Sequence, residues 1–579
     1  MRARLRLMVQ DPATGRGDDR PLTEPFDADR EAFLLDGPVA GRVAVLDFDP
    51  QTGRLCPGTP FLPAAPDGSP GHYEVAGDAG LYAPEFIRVS AFATVLRTIY
   101  LFEDEECLGR ALRWAFDAPQ LLVVPRAGRL ENAYYERETR SLQLFYFPSP
   151  RDPGQTVYTS LSRDIVAHET GHAILDGIAP DLYNCLTPQS LALHETVADL
   201  SALVAAFSSR TLCERVLARS GGSIRDATDF SAIAEEFGAA LDPDAGYLRS
   251  LVNRKNLDPA SPDCVRRDEP HELSEVLSGA LFAVMVRIHE TLRRRFARES
   301  RASGEGDAGV ALRALDAGAV RFRQLVLRAL DYLPPGEVTF ADYGRAIIAA
   351  DQGSHPEDDR VREWVRQELV RRRIVPDRRS LSVRTDFAYA PLTGAALSTL
   401  VRSDWAAYEF ANRNRRFLGI PPRCNIYVRP RSVVNKVLYD RDGRPASSTH
   451  ELIFHVSWDR QEPNPVDDSL PPRRQVTVGT TLVVDLDTRR VWARLVSDSA
   501  RSPEPAPPAA GAPAPPPAEP QADRDALLRR LLDEDVLRVG ARAVAPDGGW
   551  LRSAVRAETL DGLMRVRGTA RTLHITGRG

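Results

Sequence analysis

His168-Glu169-Thr170-Gly171-His172 is the stretch on which the reading of this chain turns. Two histidines four residues apart lie on one face of a helix, about 40° apart in projection, so each can offer a ring nitrogen to the same cation. Glu169 stands beside the first histidine and brings a carboxylate within reach of a water on that cation. The pattern needs a helix, and its surroundings predict one. Ser162 is a candidate N-cap, Asp164 suits the first turn, and Ile165, His168, His172 and Leu175 make one face. Gly177 is expected to end the helix. Chance is the plain alternative. Ten histidines in 579 residues give an expectation of about 0.01 accidental strings of this kind.

A catalytic zinc takes three protein ligands and keeps a position for water. The segment Leu193-His194-Glu195-Thr196-Val197-Ala198-Asp199-Leu200 offers the third. Glu195 and Asp199 are four apart on one face of a helix that is otherwise apolar, and Thr187 and Pro188 give it a cap and a first turn. Carboxylates on an apolar face are costly unless they are paired or metal-bound. Glu195 is therefore the candidate ligand, with His168 and His172. Asp199 is the candidate to accept the other N–H of a ligand histidine and fix its tautomer. A solvated helix face is the competing reading. His194 points about 100° away from Glu195 on the helix and reads as a wall or core residue.

This arrangement resembles the thermolysin-like gluzincin peptidases, most closely over 160–200 and more loosely over 85–375. From His168 the chain reads His-Glu-Thr-Gly-His-Ala-Ile-Leu-Asp-Gly-Ile-Ala-Pro-Asp-Leu-Tyr to Tyr183. In that family a tyrosine at this distance helps hold the oxyanion of the tetrahedral intermediate, which makes Tyr183 the candidate, and Asp176 matches a structural aspartate. Asn132-Ala133-Tyr134-Tyr135 resembles the family's edge strand, which pairs with the peptide substrate, so the resemblance implies substrate binding at Asn132 and Ala133. Asp268-Glu269-Pro270-His271, followed by Ser274 and Ser278-Gly279, is similar to the segment carrying a second oxyanion-stabilising histidine, here His271. Plainer roles stay open: Asn132 as a turn residue, Tyr183 as core, His271 as a helix cap. The chain also departs from the family. The spacing from Tyr183 to Glu195 is longer, and Ser201 to Arg210 carries no carboxylate where the family binds calcium. Asp164 matches one calcium ligand but cannot make a site alone.

Outward from this motif the expected class is α+β. A β-rich N-terminal lobe with an edge strand (1–155) precedes a helical lobe holding the motif (156–378). A β-rich accessory region (379–500), a linker (501–522) and a small C-terminal module (523–579) follow. The segment from Met1 to Gln10 alternates arginine with apolar side chains as a first strand does, Val89–Phe102 has helical spacing, and 132–147 reads as two strands about a polar turn. Helices are expected near 163–176, 188–207, 271–297, 309–331, 340–350 and 357–373. Strands return from about 420 to 498, with Trp405, Tyr408, Trp458 and Trp492 as core or partner-surface aromatics. Nine prolines within 502–520 predict an extended linker.

Composition bounds the function. A net charge of −5 argues against a general nucleic-acid or membrane-surface binder. Six cysteines, none in a CxxC pair, exclude a disulfide-dense miniprotein. No run reaches about 18 consecutive apolar residues, so no membrane-spanning segment is expected. The N-terminus lacks the apolar core of a secretory signal, which predicts a cytoplasmic protein, with non-classical export left open. The 73 arginines against two lysines read as a GC-rich coding bias. The expected function is a zinc-dependent metalloendopeptidase acting on peptides or proteins, with Glu169 as general base and Tyr183 and His271 as oxyanion donors. Two alternatives stand beside it. A gluzincin aminopeptidase would need a GxMEN-like grip on a free amino terminus, and none is found. A catalytically silent peptidase fold would leave the work to a protein partner of residues 380–579.

Overall fold

The computed structural model describes residues 2–12, 22–75, 80–149, 154–226, 230, 232–233, 249–301, 306–393, 397–501, 519–534, 536–539, 555–560 and 562–568. It is a mixed α/β protein. Arg4–Met8 forms the expected first strand, antiparallel to Thr23–Asp27. Helix α1 (Pro84–Glu103) starts earlier than its apolar spacing suggests, because Pro84 occupies the first helical position. It is buried on nearly every side, Arg88 included, whose guanidinium pairs with Asp47 at 3.2 Å.

Strands β1 (Val43–Val45), β2 (Leu121–Val124), β3 (Ala133–Glu136) and β4 (Ser141–Leu144) form one sheet in the order β1-β2-β4-β3. The first two junctions are parallel, and β3–β4 is the expected hairpin, with Ala133 opposite Leu144 and Tyr135 opposite Leu142. Strand β3 therefore lies on the sheet's edge.

Helices α2 (Arg163–Ile178) and α3 (Pro188–Phe207) pack side by side, with α1 against α2. The start of α3 is as expected: the Thr187 side chain accepts from the Ser190 N–H and Pro188 opens the helix. Two expectations for α2 are corrected. The Ser162 hydroxyl makes no cap hydrogen bond, although Ser162 sits at the N-cap position. Gly177 does not end the helix, which continues to Ile178. A Cβ on Gly177 would come 2.0 Å from the Arg113 carbonyl oxygen, so the glycine serves close approach instead. By length and composition α3 alone among the described helices suits a membrane span, yet its whole apolar window is buried inside the protein. A short helix over Arg210–Arg219 and helices α4 (Pro270–Ser300), α5 (Asp307–Leu327), α6 (Phe340–Ser354) and α7 (Arg360–Arg371) belong to the helical half as well.

In the accessory region a short strand, Thr385–Phe387, is followed by helices: Leu397–Arg402, α8 (Asp404–Arg413) and Arg415–Leu418. Trp405 and Tyr408 belong to α8, which Ser403 caps and whose Ala407 and Ala411 are buried one turn apart. Strands β5 (Ser432–Tyr439), β6 (Pro445–Pro463), β7 (Arg473–Asp485) and β8 (Arg490–Val496) then build an antiparallel sheet. Alternate side chains serve two cores. Ile453, Val483, Ala493 and Leu495 join the core of the helical half. Leu452, Phe454, Leu482, Val484 and Val491 join a second core with α8. The tail, expected to hang from its linker, has its described parts docked. Leu527, Leu528 and Leu531 of α9 (Glu519–Asp533) enter the main core, and β9 (Leu563–Arg567) pairs in parallel with β7. The interface is also ionic: buried Arg524 pairs with Glu337 and Glu462.

Candidate metal centre

The side-by-side packing of α2 and α3 brings His168, His172 and Glu195 together. Gly171, between the two histidines, makes the approach close, since a Cβ there would meet the Ala198 Cα at 3.0 Å. The two Nε2 atoms are 3.1 Å apart. The Glu195 carboxylate oxygens lie 3.6 Å from His168 Nε2 and 3.5 Å from His172 Nε2. Ligand atoms about 2.0–2.2 Å from a tetrahedral zinc stand roughly 3.3–3.6 Å from one another, so the three donors have the spacing that such an ion sets. Among the described residues this is the one group of three or more His, Cys, Asp or Glu side chains suited to hold a metal.

Asp199, one turn beyond Glu195 and fully buried, lies 3.1 Å from His168 Nδ1. A carboxylate so placed is within reach of an Nδ1 proton, the arrangement that leaves Nε2 free to face a metal. Glu169 points to the sheet: its Oε2 accepts from the Tyr135 N–H of β3 at 2.9 Å. The edge strand thus runs past the carboxylate. Ala133 begins that strand, and the Asn132 Oδ1 accepts from the Ala133 N–H at 2.8 Å, capping the strand's start.

Tyr183 sits in a short turn (Leu182–Asn184) between α2 and α3. Its hydroxyl donates to Glu136 at 3.3 Å, and burial pushes its phenol well above the usual value, so it keeps its proton. The ring meets His194 edge-on at 6.1 Å, and His194 stacks on His172 at 5.8 Å. His194 is thus the wall expected of it, an imidazole that burial pushes down to about 3 and keeps neutral. Asp176 accepts from the Tyr135 hydroxyl at 2.7 Å and from Arg137 Nε at 2.8 Å. Burial raises its pKa despite both partners. The Arg137 guanidinium also covers the Tyr183 ring at 4.2 Å.

His271 lies in the first turn of α4, with Nε2 3.7 Å from a Glu195 oxygen and Nδ1 3.3 Å from Glu269. It is not the cap, because Glu269 accepts from the Glu272 N–H. Burial, the largest single influence, pushes the Glu269 carboxyl up, but the hydrogen bond and charge of His271 together with the Glu272 and His271 backbone N–H groups outweigh it and hold the group below its usual range. The His271 side chain is 21% exposed while His172 and Glu195 show none of their surface, so the centre opens on the His271 side. Sequence reading missed the Tyr135 N–H, Arg137, Glu136 and Glu269. A carboxylate two residues before His271 was a local signal for the last. The others come from the β3 hairpin, far along the chain, and left no spacing to read.

No protein-family model and no curated protein matches the chain. Among solved structures, the precursor of protealysin, a metalloproteinase from Serratia proteamaculans, is similar over 59% of this chain and 90% of that chain, at 15% identity and a TM-score of 0.34. So loose a likeness carries no argument, and the reading of the centre rests on its own geometry.

Proposed function

We propose that this chain is a zinc-dependent metalloendopeptidase that hydrolyses peptide bonds. The observation that carries the reading is the convergence of His168, His172 and Glu195, spaced 3.1–3.6 Å from one another, with the Glu169 carboxylate on the next residue of the same helix. Bound zinc supplies Lewis acidity and makes a water acidic enough to give up a proton near neutral pH.

The chain's own groups do the rest. His168, His172 and Glu195 hold the ion. Glu169, oriented by the Tyr135 N–H, takes the proton of the attacking water on a carboxylate oxygen and later passes it to the leaving amine. Tyr183, kept protonated by burial, and His271 donate hydrogen bonds to the developing oxyanion, each worth roughly 3 kcal/mol in the transition state. Tyr183 leaves Glu136 to do so. The edge strand β3, entered through Asn132 and Ala133, offers the extended backbone against which a peptide aligns.

The test is cleavage of an unbiased, internally quenched peptide library by wild type and by Glu169→Gln, with and without chelator, alongside zinc content by elemental analysis. Glu169→Gln is expected to retain zinc and lose cleavage by about 10²–10⁴-fold, the usual contribution of a general base. Equal cleavage by the variant refutes the role. Peptides blocked at the amino terminus separate the endopeptidase from an aminopeptidase, which would leave them intact.

A further inference from the structure

The docked tail reaches the body at the two segments that carry Tyr183 and His271. The Gly568 N–H donates to Asn184 Oδ1 at 3.1 Å. The backbone there lies so close to the turn that a Cβ on Gly568 would fall 1.9 Å from the Tyr183 carbonyl oxygen. On the other side, Arg530 of α9 donates to the Asp268 carbonyl at 3.2 Å, three residues before His271. The Tyr183 turn is tied at its start, where Arg137 donates to the Pro180 carbonyl and Arg429 pairs with Asp181. At its far end it is backed by a cavity of about 230 Å³, between Asn184 and Cys185 on one wall and Leu528 and Met564 on the other. Leu182, Tyr183, Cys185 and Leu186 pack in the main core, while exposed Asn184, beside that cavity, is met by the tail through the polar contact from Gly568. The ligand-bearing helix α2 is held otherwise, by α1, α3 and β3.

We propose that the described parts of the C-terminal region, α9 and the strand leading into Gly568, are a positioning element for catalysis: Gly568 and Arg530 set the places of Tyr183 and His271, and so the rate of the chemical step, while the metal-ligating histidines of α2 are held independently. The proposal rests on the reading of those two residues as oxyanion donors. It makes the tail part of the catalytic apparatus without giving it a group that touches substrate.

The full-length protein tests it through Gly568→Ala, whose Cβ must push the Tyr183 turn, and Asn184→Ala, which removes the same contact from an exposed position without adding bulk. Each is expected to lower kcat about tenfold, a fraction of the 10²–10³ that follows deletion of an oxyanion donor. KM and zinc content should stay at the wild-type level. Amide exchange should quicken across 182–186 and remain as in wild type across 163–178. Unchanged kcat in both variants, or a fall in kcat that merely follows lost zinc, overturns the proposal. Unchanged exchange at 182–186 overturns it too, while leaving the peptidase reading standing. A wild type that cleaves no peptide refutes the peptidase reading itself, and the positioning role with it.

Discussion

Replacing Gly171 by alanine should loosen the metal centre from the inside. Gly171 lies on α2 where α3 comes nearest. A Cβ there would sit 2.4 Å from Ser201 Oγ and 3.0 Å from the Ala198 Cα. The serine hydroxyl is held by the Val197 carbonyl at 2.7 Å, and the Ala198 Cα is backbone, so neither yields easily. Carbon–carbon contacts become comfortable near 3.5 Å, so the helices must part by roughly 0.5 Å. Ala198 is less than one turn from Glu195, which moves with it. Metal–ligand distances tolerate about 0.2 Å. Zinc affinity should therefore fall by roughly 10–100-fold, the scale that follows disturbance of a ligand's surroundings. Overpacking costs about 1–3 kcal/mol, offset by about 1 kcal/mol of helix propensity, so the variant should fold with slightly lower stability. Competition with a chromophoric chelator reads the affinity, and urea unfolding reads the stability. Gly177→Ala is the control. Its Cβ strikes the Arg113 carbonyl, away from the ligands, and should cost stability without changing affinity. A Gly171→Ala protein that binds zinc as wild type does refutes the argument that interhelical distance sets the site.

Asp199→Ala, which strips the Nδ1 partner from His168, should lower zinc affinity by about 10–100-fold in the same competition assay, and an unchanged value refutes its orienting role. Burial pushes the His455 imidazole down to about 4. An unfolded chain holds the proton up to an ordinary value near ~6.5, so stability present at neutral pH is lost as pH falls from about 6.5 to 4, by up to roughly 3 kcal/mol. His455 Nδ1 faces the Thr481 hydroxyl at 2.8 Å, a bond that His455→Asn can keep, and the substitution should flatten the pH dependence of the urea midpoint. An undiminished slope refutes the assignment. Arg524→Ala should destabilise by about 3–5 kcal/mol, because Glu337 and Glu462 lose their shared buried partner, and a loss under about 1 kcal/mol refutes the clamp.

What could be read in the sequence was what local signals encode. The bounds of α3 follow from Thr187, Pro188 and a 3.6-residue apolar rhythm, all within one segment. The His168–His172 face is a matter of helical spacing, and Glu195 could be matched to it because an apolar helix has few reasons to carry a carboxylate. The hairpin that carries Tyr135 was legible for the same reason, being two neighbouring alternations about a polar turn. What stayed hidden depends on distant partners. Nothing near Glu169 announces that a strand N–H will orient it, and nothing near Asp176 announces Arg137. Gly177 was misread because a terminating glycine and one making room for a neighbouring backbone look alike along the chain. The helices over 397–418 were missed because their apolar positions face a sheet formed later in the sequence. The tail's docking was invisible too, since Leu527, Leu528 and Leu531 find their partners hundreds of residues upstream.

The alternation along β6 has a practical meaning for anyone scanning this chain by substitution. Ile453 and Phe454 are neighbours in sequence, yet each answers to a different half of the molecule. Trimming the first loosens the interior that seats the histidines, and trimming the second slackens only the far side of the wall. A damage map of that strand should therefore be striped, position by position, with loss of metal retention and loss of general sturdiness trading places at every step.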